Sequence, residues 1–280
     1  MQYGMNLLLW TAQMHDGMLP ILETLKSMGY DGVELPIFDP SANWALWGKR
    51  LDDFGLQRTA VTIATAEENP IDADVAVRAR AVVRLKRVLD ACAAAGVKLL
   101  CGPFHSALGV FTGKGPTDDE RRWGEDSMRA VAEHAATLGI TLALEYLNRF
   151  EIYFLTCVAD TVRFVEAVRH PNCQMLYDTF HAHIEERDGG VAIFNAREHI
   201  RHVHISENDR STPGVGSVQW TKTFNLLKAI GYDGWLVVEA FGTLLPELVA
   251  ATKIWRRMYE TEEQLARDAL AFMKSHVQAS

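Results

Sequence analysis

The stretch LKAIGYDGWLVVE, residues 227–239, is a near copy of LKSMGYDGVEL, residues 25–35. Each copy contains the end of a helical pattern, a glycine that stops the helix, a tight Asp-Gly turn and then an apolar run. A parallel strand that is covered on both faces is apolar along its whole length, so each run is typical of such a strand. The two copies therefore predict the same unit of helix, turn and buried strand near both ends of the chain.

The rest of the chain alternates between helix and strand patterns in the same way. Apolar residues recur at helical spacing over 19–29, 74–95 and 118–139. Short apolar runs predict eight strands, at 4–9, 32–36, 58–64, 98–102, 141–145, 174–178, 201–206 and 235–239. Eight such units predict an α/β fold, a single (β/α)₈ TIM barrel.

The end of the chain is longer than the last barrel unit requires. From about residue 245 we expect a C-terminal helical extension, in which Trp255 and Tyr259 pack on the barrel or on another subunit. Core packing is the commoner explanation for such aromatic residues. No linker rich in Pro, Gly or Ser divides the sequence, so we expect one domain over residues 1–280.

Composition excludes some classes of function. With 48% hydrophobic residues in 280, the chain can bury a large core, whereas a net charge of −8 argues against a nucleic-acid surface. The four cysteines form no CxxC pair and are expected to be buried thiols in a reducing compartment. No signal peptide and no apolar run of about 18 residues is present, so we expect a cytoplasmic protein without a membrane partner.

Four of the predicted strands end on a metal-ligand type of residue. These are the runs TLALE, QMLYD, IRHVH and WLVVE, which end at Glu145, Asp178, His204 and Glu239. In a (β/α)₈ barrel the C-terminal strand ends surround one active site, so the four side chains are expected to converge on one ion. For any one of them, a cap on the following helix is the simpler alternative. Three carboxylates and one imidazole favour Mn²⁺, Mg²⁺ or Co²⁺ over a thiolate zinc site.

Several segments carry a family resemblance: LEYLNRFE (144–151), YDTFHAHIEE (177–186), HVHISENDRSTPGVGSV (202–218) and VVEAFG (237–242). They resemble the D-tagatose 3-epimerase group of ketose 3-epimerases, which includes the D-psicose (D-allulose) and L-ribulose 3-epimerases and lies in the xylose-isomerase-like TIM-barrel superfamily. The resemblance implies an isomerase that epimerises C3 of an unphosphorylated ketose. It also implies one divalent ion, Mn²⁺ before Co²⁺ or Mg²⁺, and a homodimer or homotetramer.

The resemblance also implies roles for single residues. Glu145, Asp178, His204 and Glu239 fall at the family's metal ligands, and Glu145 and Glu239 at its catalytic acid/base pair. The substrate-binding residues implied in the same way are Glu151, His181, Arg210 and Phe241. The chemistry supports such a set, because epimerisation beside a ketone needs a proton removed from one face and returned to the other through a stabilised enediolate. Two bases and one cation are the minimum for that reaction.

Other functions and residues remain open at this point. An aldose–ketose isomerase such as hydroxypyruvate isomerase uses the same enediolate machinery and is the main alternative. An apurinic endonuclease-like hydrolase and a non-catalytic carbohydrate-binding barrel are minor ones. Glu34 is expected to cap a helix or to support the barrel mouth, and His202 to face away from His204 and pack against a helix. Four further candidates to line the substrate mouth are Trp10, Phe38, His105 and Trp123.

Overall fold

A computed structural model describes residues 1–279 as a closed barrel of eight parallel strands, paired in sequence order. This confirms the predicted fold class. The strands are β1 (Gln2–Asn6), β2 (Gly32–Pro36), β3 (Gln57–Val61), β4 (Leu99–Gly102), β5 (Thr141–Glu145), β6 (Cys173–Asp178), β7 (Ile200–Ile205) and β8 (Trp235–Val238). All eight begin within two residues of their predicted starts, because continuous apolar runs mark strands that are covered on both faces.

Ten α-helices lie in the described part of the chain, most of them around the barrel. They are α1 (Leu19–Met28), α2 (Trp44–Phe54), α3 (Val75–Ala94), α4 (Asp118–Leu138), α5 (Val158–Val168), α6 (Thr179–Glu185), α7 (Gly189–Asn195), α8 (Trp220–Ala229), α9 (Pro246–Thr252) and α10 (Glu262–Gln278). Local signals set the ends of α4. Thr117 and Glu120 form a capping box at its start, and Gly139 ends it with φ 64°.

The first strand is shorter than the sequence predicts. The run 4–9 was expected to be extended, but β1 ends at Asn6 and Leu7–Leu9 form one turn of 3₁₀ helix. The side chain of Asn6 accepts a hydrogen bond from the backbone N–H of Leu8 at 2.8 Å, which caps that turn. Apolar content alone does not distinguish the two conformations, since the three leucines are buried in either.

The barrel closes where β1 pairs with β8, from Gln2 beside Trp235 to Met5 beside Val238. Helix α10 contacts α1, α8 and both strands of this seam. The hydroxyl of Tyr30 donates a hydrogen bond to the carbonyl of Ala266 at 2.7 Å, which ties the start of β2 to α10. The C-terminal helix therefore covers the seam.

The extension differs from the prediction at one aromatic residue. Trp255 is 70% exposed and does not pack in the core, whereas Tyr259 is half-buried and lies against Gly242.

All four cysteines are free, and Cys92, Cys101 and Cys173 are buried while Cys157 is partly exposed. Among residues 1–279, no helix has the length and apolar character that crossing a membrane requires.

Candidate active site

The four predicted metal ligands meet at the C-terminal end of the barrel. Glu145 and Asp178 are the last residues of β5 and β6, His204 lies at the end of β7, and Glu239 directly follows β8. One ligating atom of each residue lies within 4.8 Å of those of the other three, and all four residues are buried. From Nδ1 of His204, the distances to Oε1 of Glu145, Oδ2 of Asp178 and Oε1 of Glu239 are 3.6, 3.5 and 3.4 Å.

The donor set fits a divalent cation. Oδ2 of Asp178 and Nδ1 of His204 are buried without a hydrogen-bond partner, and both face the other ligands. Burial raises the pKa of Glu239 well above its ordinary value, and the charges of Glu145 and Asp178 add to this rise against the opposing effect of His204. Buried carboxylates need a positive partner, so an ion with oxygen and imidazole ligands suits this position.

Asp178 serves the local fold as well as the candidate site. Its Oδ1 atom accepts hydrogen bonds from the backbone N–H groups of Phe180 and His181, at 2.6 and 3.0 Å, and so caps α6. Its Oδ2 atom is left free toward His204. One oxygen of this side chain therefore caps the helix, and the other remains available as a candidate metal ligand, two roles that the sequence alone presents as alternatives.

The residues expected to hold substrate lie beside the four ligands. Nδ1 of His181 accepts from the backbone N–H of Asn148 at 2.9 Å, so Nε2 carries the proton when the ring is neutral. Burial lowers the pKa of His181, which favours that neutral ring although Asp178 opposes the effect. The Nε2 atom lies 3.7 Å from Oε1 of Glu145 and 3.1 Å from Nη2 of Arg210, so it faces the site beside the guanidinium.

Arg210 supplies the positive charge on the same side. Its guanidinium lies between the rings of Phe180 and Phe241, at 4.1 and 5.0 Å from their centroids. Its Nη2 atom is 3.4 Å from both carboxylate oxygens of Glu151. Burial alone would raise the pKa of Glu151, but the charges of Arg210 and His181 hold it below its ordinary value. Sequence reasoning missed Phe180, whose only signal is its place between Asp178 and His181.

A second buried cluster lies in the barrel interior beneath the ligands. Glu34 is fully buried, and its carboxylate is 2.8 Å from Nε2 of His202 and 2.8 Å from Nε2 of His204. The prediction that His202 faces away from His204 is wrong. Residues i and i+2 of a strand lie on the same face, and here both rings point into the barrel with centroids 5.3 Å apart.

The other mouth candidates lie at different depths. His105 is fully buried, and its Nε2 atom is 2.8 Å from the backbone carbonyl of Glu145. It therefore holds the backbone at the end of β5 and does not line the substrate mouth. Trp10 is buried in the main core, and Phe38 packs beside the apolar cluster that contains Phe241. Trp123 lies in α4, and the guanidinium of Arg78 lies over its indole ring, 4.6 Å from the ring centroid.

Known proteins share this sequence and fold. A family profile described as Xylose isomerase-like TIM barrel matches residues 22–276. The chain is 33% identical to L-ribulose 3-epimerase of Mesorhizobium japonicum, over 96% of this chain and 92% of that protein. It is 31% identical to ketose 3-epimerase of Arthrobacter globiformis, over 100% and 98%. The crystal structure of D-allulose 3-epimerase from Methylomonas sp. with D-allulose superposes with a TM-score of 0.94, at 28% identity, covering 99% of this chain and 97% of that one.

These comparisons agree with the resemblance found in the four sequence segments. The named relatives are ketose 3-epimerases, which are carbohydrate epimerases and therefore isomerases. Their match extends over almost the whole of this chain. The family profile covers all the strands except β1. The chain belongs to the xylose isomerase-like TIM barrel family.

Proposed function

We propose that this protein is a metal-dependent ketose 3-epimerase, in which Glu145, Asp178, His204 and Glu239 hold one divalent ion and the two glutamates exchange protons with the substrate. The observation that carries the proposal is the pair of buried glutamates, from β5 and from the end of β8, that meet at the same imidazole nitrogen. Their strands are separated by β6 and β7 around the barrel. The two carboxylates therefore approach a bound sugar from different sides.

The reaction needs one base and one acid on opposite faces of C3. One glutamate removes the proton from C3, the electron pair of that C–H bond moves toward the neighbouring carbonyl, and an enediolate forms. The other glutamate returns a proton to C3 from the opposite face and restores the ketone. In the reverse direction the two residues exchange roles. A divalent ion bound at this site supplies Lewis-acid polarisation of the substrate oxygens.

The neighbouring residues orient the sugar and exclude water. The Nε2–H group of His181 donates toward the substrate's O2 side, and Arg210 adds a fixed positive charge where the oxyanion develops. Glu151 is held by Asn148 at 2.7 Å and accepts from the O1 hydroxyl. Phe241 is 5% exposed and presents an apolar face beside Glu239. In the proposed complex these contacts hold the O1 and O2 end of the sugar, with C3 between the two glutamates.

The native metal and sugar follow from the same ligand set and relatives. Three carboxylates and one borderline imidazole make a mostly hard ligand set, so Mn²⁺ is the proposed ion, with Co²⁺ or Mg²⁺ as replacements. The substrate is proposed to be a free ketose of the kind that the relatives' names specify, such as D-allulose or L-ribulose. A homodimer or homotetramer remains a prediction from the family resemblance.

The position of proton exchange tests the proposal. The Mn²⁺-loaded protein is incubated with D-fructose, D-tagatose, D-allulose and L-ribulose in deuterated water, and NMR identifies the product and the labelled carbon. We expect deuterium at C3 and a ketose product from at least one of these sugars. Deuterium confined to C1, or an aldose as main product, would instead assign the protein to the aldose–ketose isomerases and leave the ion site intact.

A further inference from the structure

The carboxylate of Glu34, in the middle of β2, is the centre of the buried cluster beneath the candidate ion site. Its Oε1 atom lies 2.9 Å from Nδ2 of Asn6 and 2.8 Å from Nε2 of His204. Its Oε2 atom is approached by three further groups at hydrogen-bonding distance. They are Oγ1 of Thr59 at 2.8 Å, Sγ of Cys101 at 3.0 Å and Nε2 of His202 at 2.8 Å.

All five partners of this carboxylate act as donors. The Asn6 amide and the Thr59 hydroxyl each direct a hydrogen at Glu34, and a carboxylate with so many donors has no need of a proton of its own. The ring of His204 must then carry its hydrogen on Nε2. With Nε2–H held by Glu34, Nδ1 is the nitrogen that is left to ligate an ion, and it lies 3.4 to 3.6 Å from the three candidate ligand carboxylates.

We propose that Glu34 is a positioning residue, which holds His204 by its Nε2–H group so that the Nδ1 lone pair faces the ion. This inference rests on the proposed ion site. A histidine ligand whose far N–H is held by a carboxylate is fixed in ring orientation and tautomer and is more basic toward the metal. His202 stabilises the arrangement, because it donates to the other oxygen of Glu34 and keeps the carboxylate from rotating.

We infer that the same cluster is a hydrogen-bonded network and not a second metal site. Glu34, Cys101, His202 and His204 also offer ligand atoms within 4.8 Å of one another. The Glu34 oxygens lie 2.8 to 3.0 Å from Sγ of Cys101 and Nε2 of both histidines, which are hydrogen-bonding distances, and each oxygen also accepts a hydrogen bond from Asn6 or Thr59. The proposal therefore predicts one ion per chain.

The test compares two nearly isosteric substitutions in the full-length protein. Glu34→Gln removes the charge and one acceptor oxygen, whereas Thr59→Val removes a single donor to the same carboxylate and leaves His204 held. The Mn²⁺ dissociation constant is measured by competition with a chelator, with folding checked by circular dichroism. We expect affinity to fall about 10- to 100-fold in Glu34→Gln and to stay within about threefold of wild type in Thr59→Val.

A second readout reports the hydrogen itself. In Mg²⁺-loaded protein, ¹⁵N NMR should show a protected Nε2–H signal for His204, which shifts or exchanges rapidly in Glu34→Gln and is retained in Thr59→Val. If Glu34→Gln does not fold, Glu34→Asp keeps the charge but withdraws it from His204 by one methylene, and it should also weaken Mn²⁺ binding at least tenfold.

The outcomes separate this inference from the proposed function. Wild-type affinity in a folded Glu34→Gln, equal losses in both variants, or two ions per chain would each overturn the positioning role. A wild-type protein that binds no divalent ion would instead refute the ion site on which the proposed function depends. Neither measurement uses turnover, so a wrong assignment of the sugar leaves the result unaffected.

Discussion

At the scale of single residues, Asp178 shows how fold and chemistry share one side chain. Its Oδ1 atom caps α6 and its Oδ2 atom points at Nδ1 of His204. A strand that runs directly into a helix brings the free N–H groups of the helix to the place where barrel active sites form. The cap thus fixes the rotamer in which the second oxygen is available as a ligand.

Substitutions at Asp178 should separate these two roles. Asp178→Asn keeps an oxygen that can cap α6 but lacks the negative charge, whereas Asp178→Ala lacks both. We expect both variants to bind Mn²⁺ more weakly than wild type. In the metal-free state Asp178→Ala should be less stable than Asp178→Asn by about 1 kcal/mol, as measured by urea unfolding with chelator present. Equal metal-free stabilities would contradict the capping role.

The two proposed acid/base residues give a second prediction at this scale. Glu145→Gln and Glu239→Gln should fold, and each should lose at least about 10²-fold in epimerisation rate, because a positioned acid or base contributes about that much or more. Metal content is measured on the same samples, since both residues are proposed ligands. Glu198→Gln, at a side chain that is 77% exposed, is the control. A variant that keeps its ion and a near wild-type rate would disprove the two-base assignment.

The convergence of the four candidate ligands could be predicted from the sequence because each ends a continuous apolar run. Such runs fix the strand, and the barrel fixes where its end points. The role of Glu34 could not be predicted, because its five partners come from β1, β3, β4 and β7 and meet only when the barrel closes. His202 is a different case, since the two-residue period of a strand already places it beside His204.

At the scale of elements, the segment after β4 supports the end of β5. His105 lies three residues beyond Gly102, the last residue of β4, and its Nε2 atom meets the carbonyl of Glu145 at 2.8 Å. Burial lowers the pKa of His105 to about 4, although the hydrogen bond to Glu145 opposes the effect. The ring is therefore neutral in the folded protein at neutral pH, and it donates one hydrogen to that carbonyl.

This neutral histidine predicts a pH dependence of stability. The folded pKa lies below the unfolded value of about 6.5, so the unfolded state binds more protons once the pH falls below 6.5. Neutral His105 therefore contributes to the free energy of unfolding above pH 6.5. That contribution, about 3 kcal/mol, is lost as the pH falls toward 4. His105→Gln keeps a donor for the Glu145 carbonyl but does not titrate. Urea unfolding with chelator present, between pH 7 and pH 4.5, should show a steeper loss in wild type than in the variant.

Parallel curves for the two proteins would contradict that assignment. Other groups that titrate in this range contribute equally to both proteins, so the difference between the curves isolates His105.

The elements themselves follow local rules in most places. Gly29 ends α1 with φ 96°. The sequence predicts this, because Gly29 is the glycine that follows the helical pattern in the first copy of the repeated stretch. The exception is β1, where the side chain of Asn6 starts a 3₁₀ turn that a hydrophobicity pattern does not show.

At the scale of the whole molecule, the ion is expected to stabilise the barrel. An ion that binds only the folded state adds about 2.7 kcal/mol when its concentration is 100 times its dissociation constant. We therefore expect removal of metal by a chelator to lower Tm by several degrees and to abolish turnover, with Mn²⁺ or Co²⁺ restoring both. Scanning calorimetry of metal-free and Mn²⁺-loaded protein measures the shift. His204→Ala is the control, since it should show a much smaller Mn²⁺-dependent change in Tm.

Equal Tm values, or full turnover in protein shown to be metal-free by elemental analysis, would refute the dependence on metal.

The features of the whole molecule are also the ones that the sequence predicts least completely. The barrel follows from eight repeated units, but the exposure of Trp255 depends on the path between α9 and α10, which no local pattern specifies.

The seam between β1 and β8 also has a consequence for how the chain is made. Residues 2–5 pair with residues 235–238, so the barrel cannot close until β8 has been synthesised. Until then β1 and β7 are edge strands, which can pair with other chains, and the half-built barrel exposes apolar surface. Helix α10, which follows β8 in the chain, then covers this seam. The nascent chain is therefore expected to expose aggregation-prone strand edges and apolar surface until β8 and α10 have been synthesised.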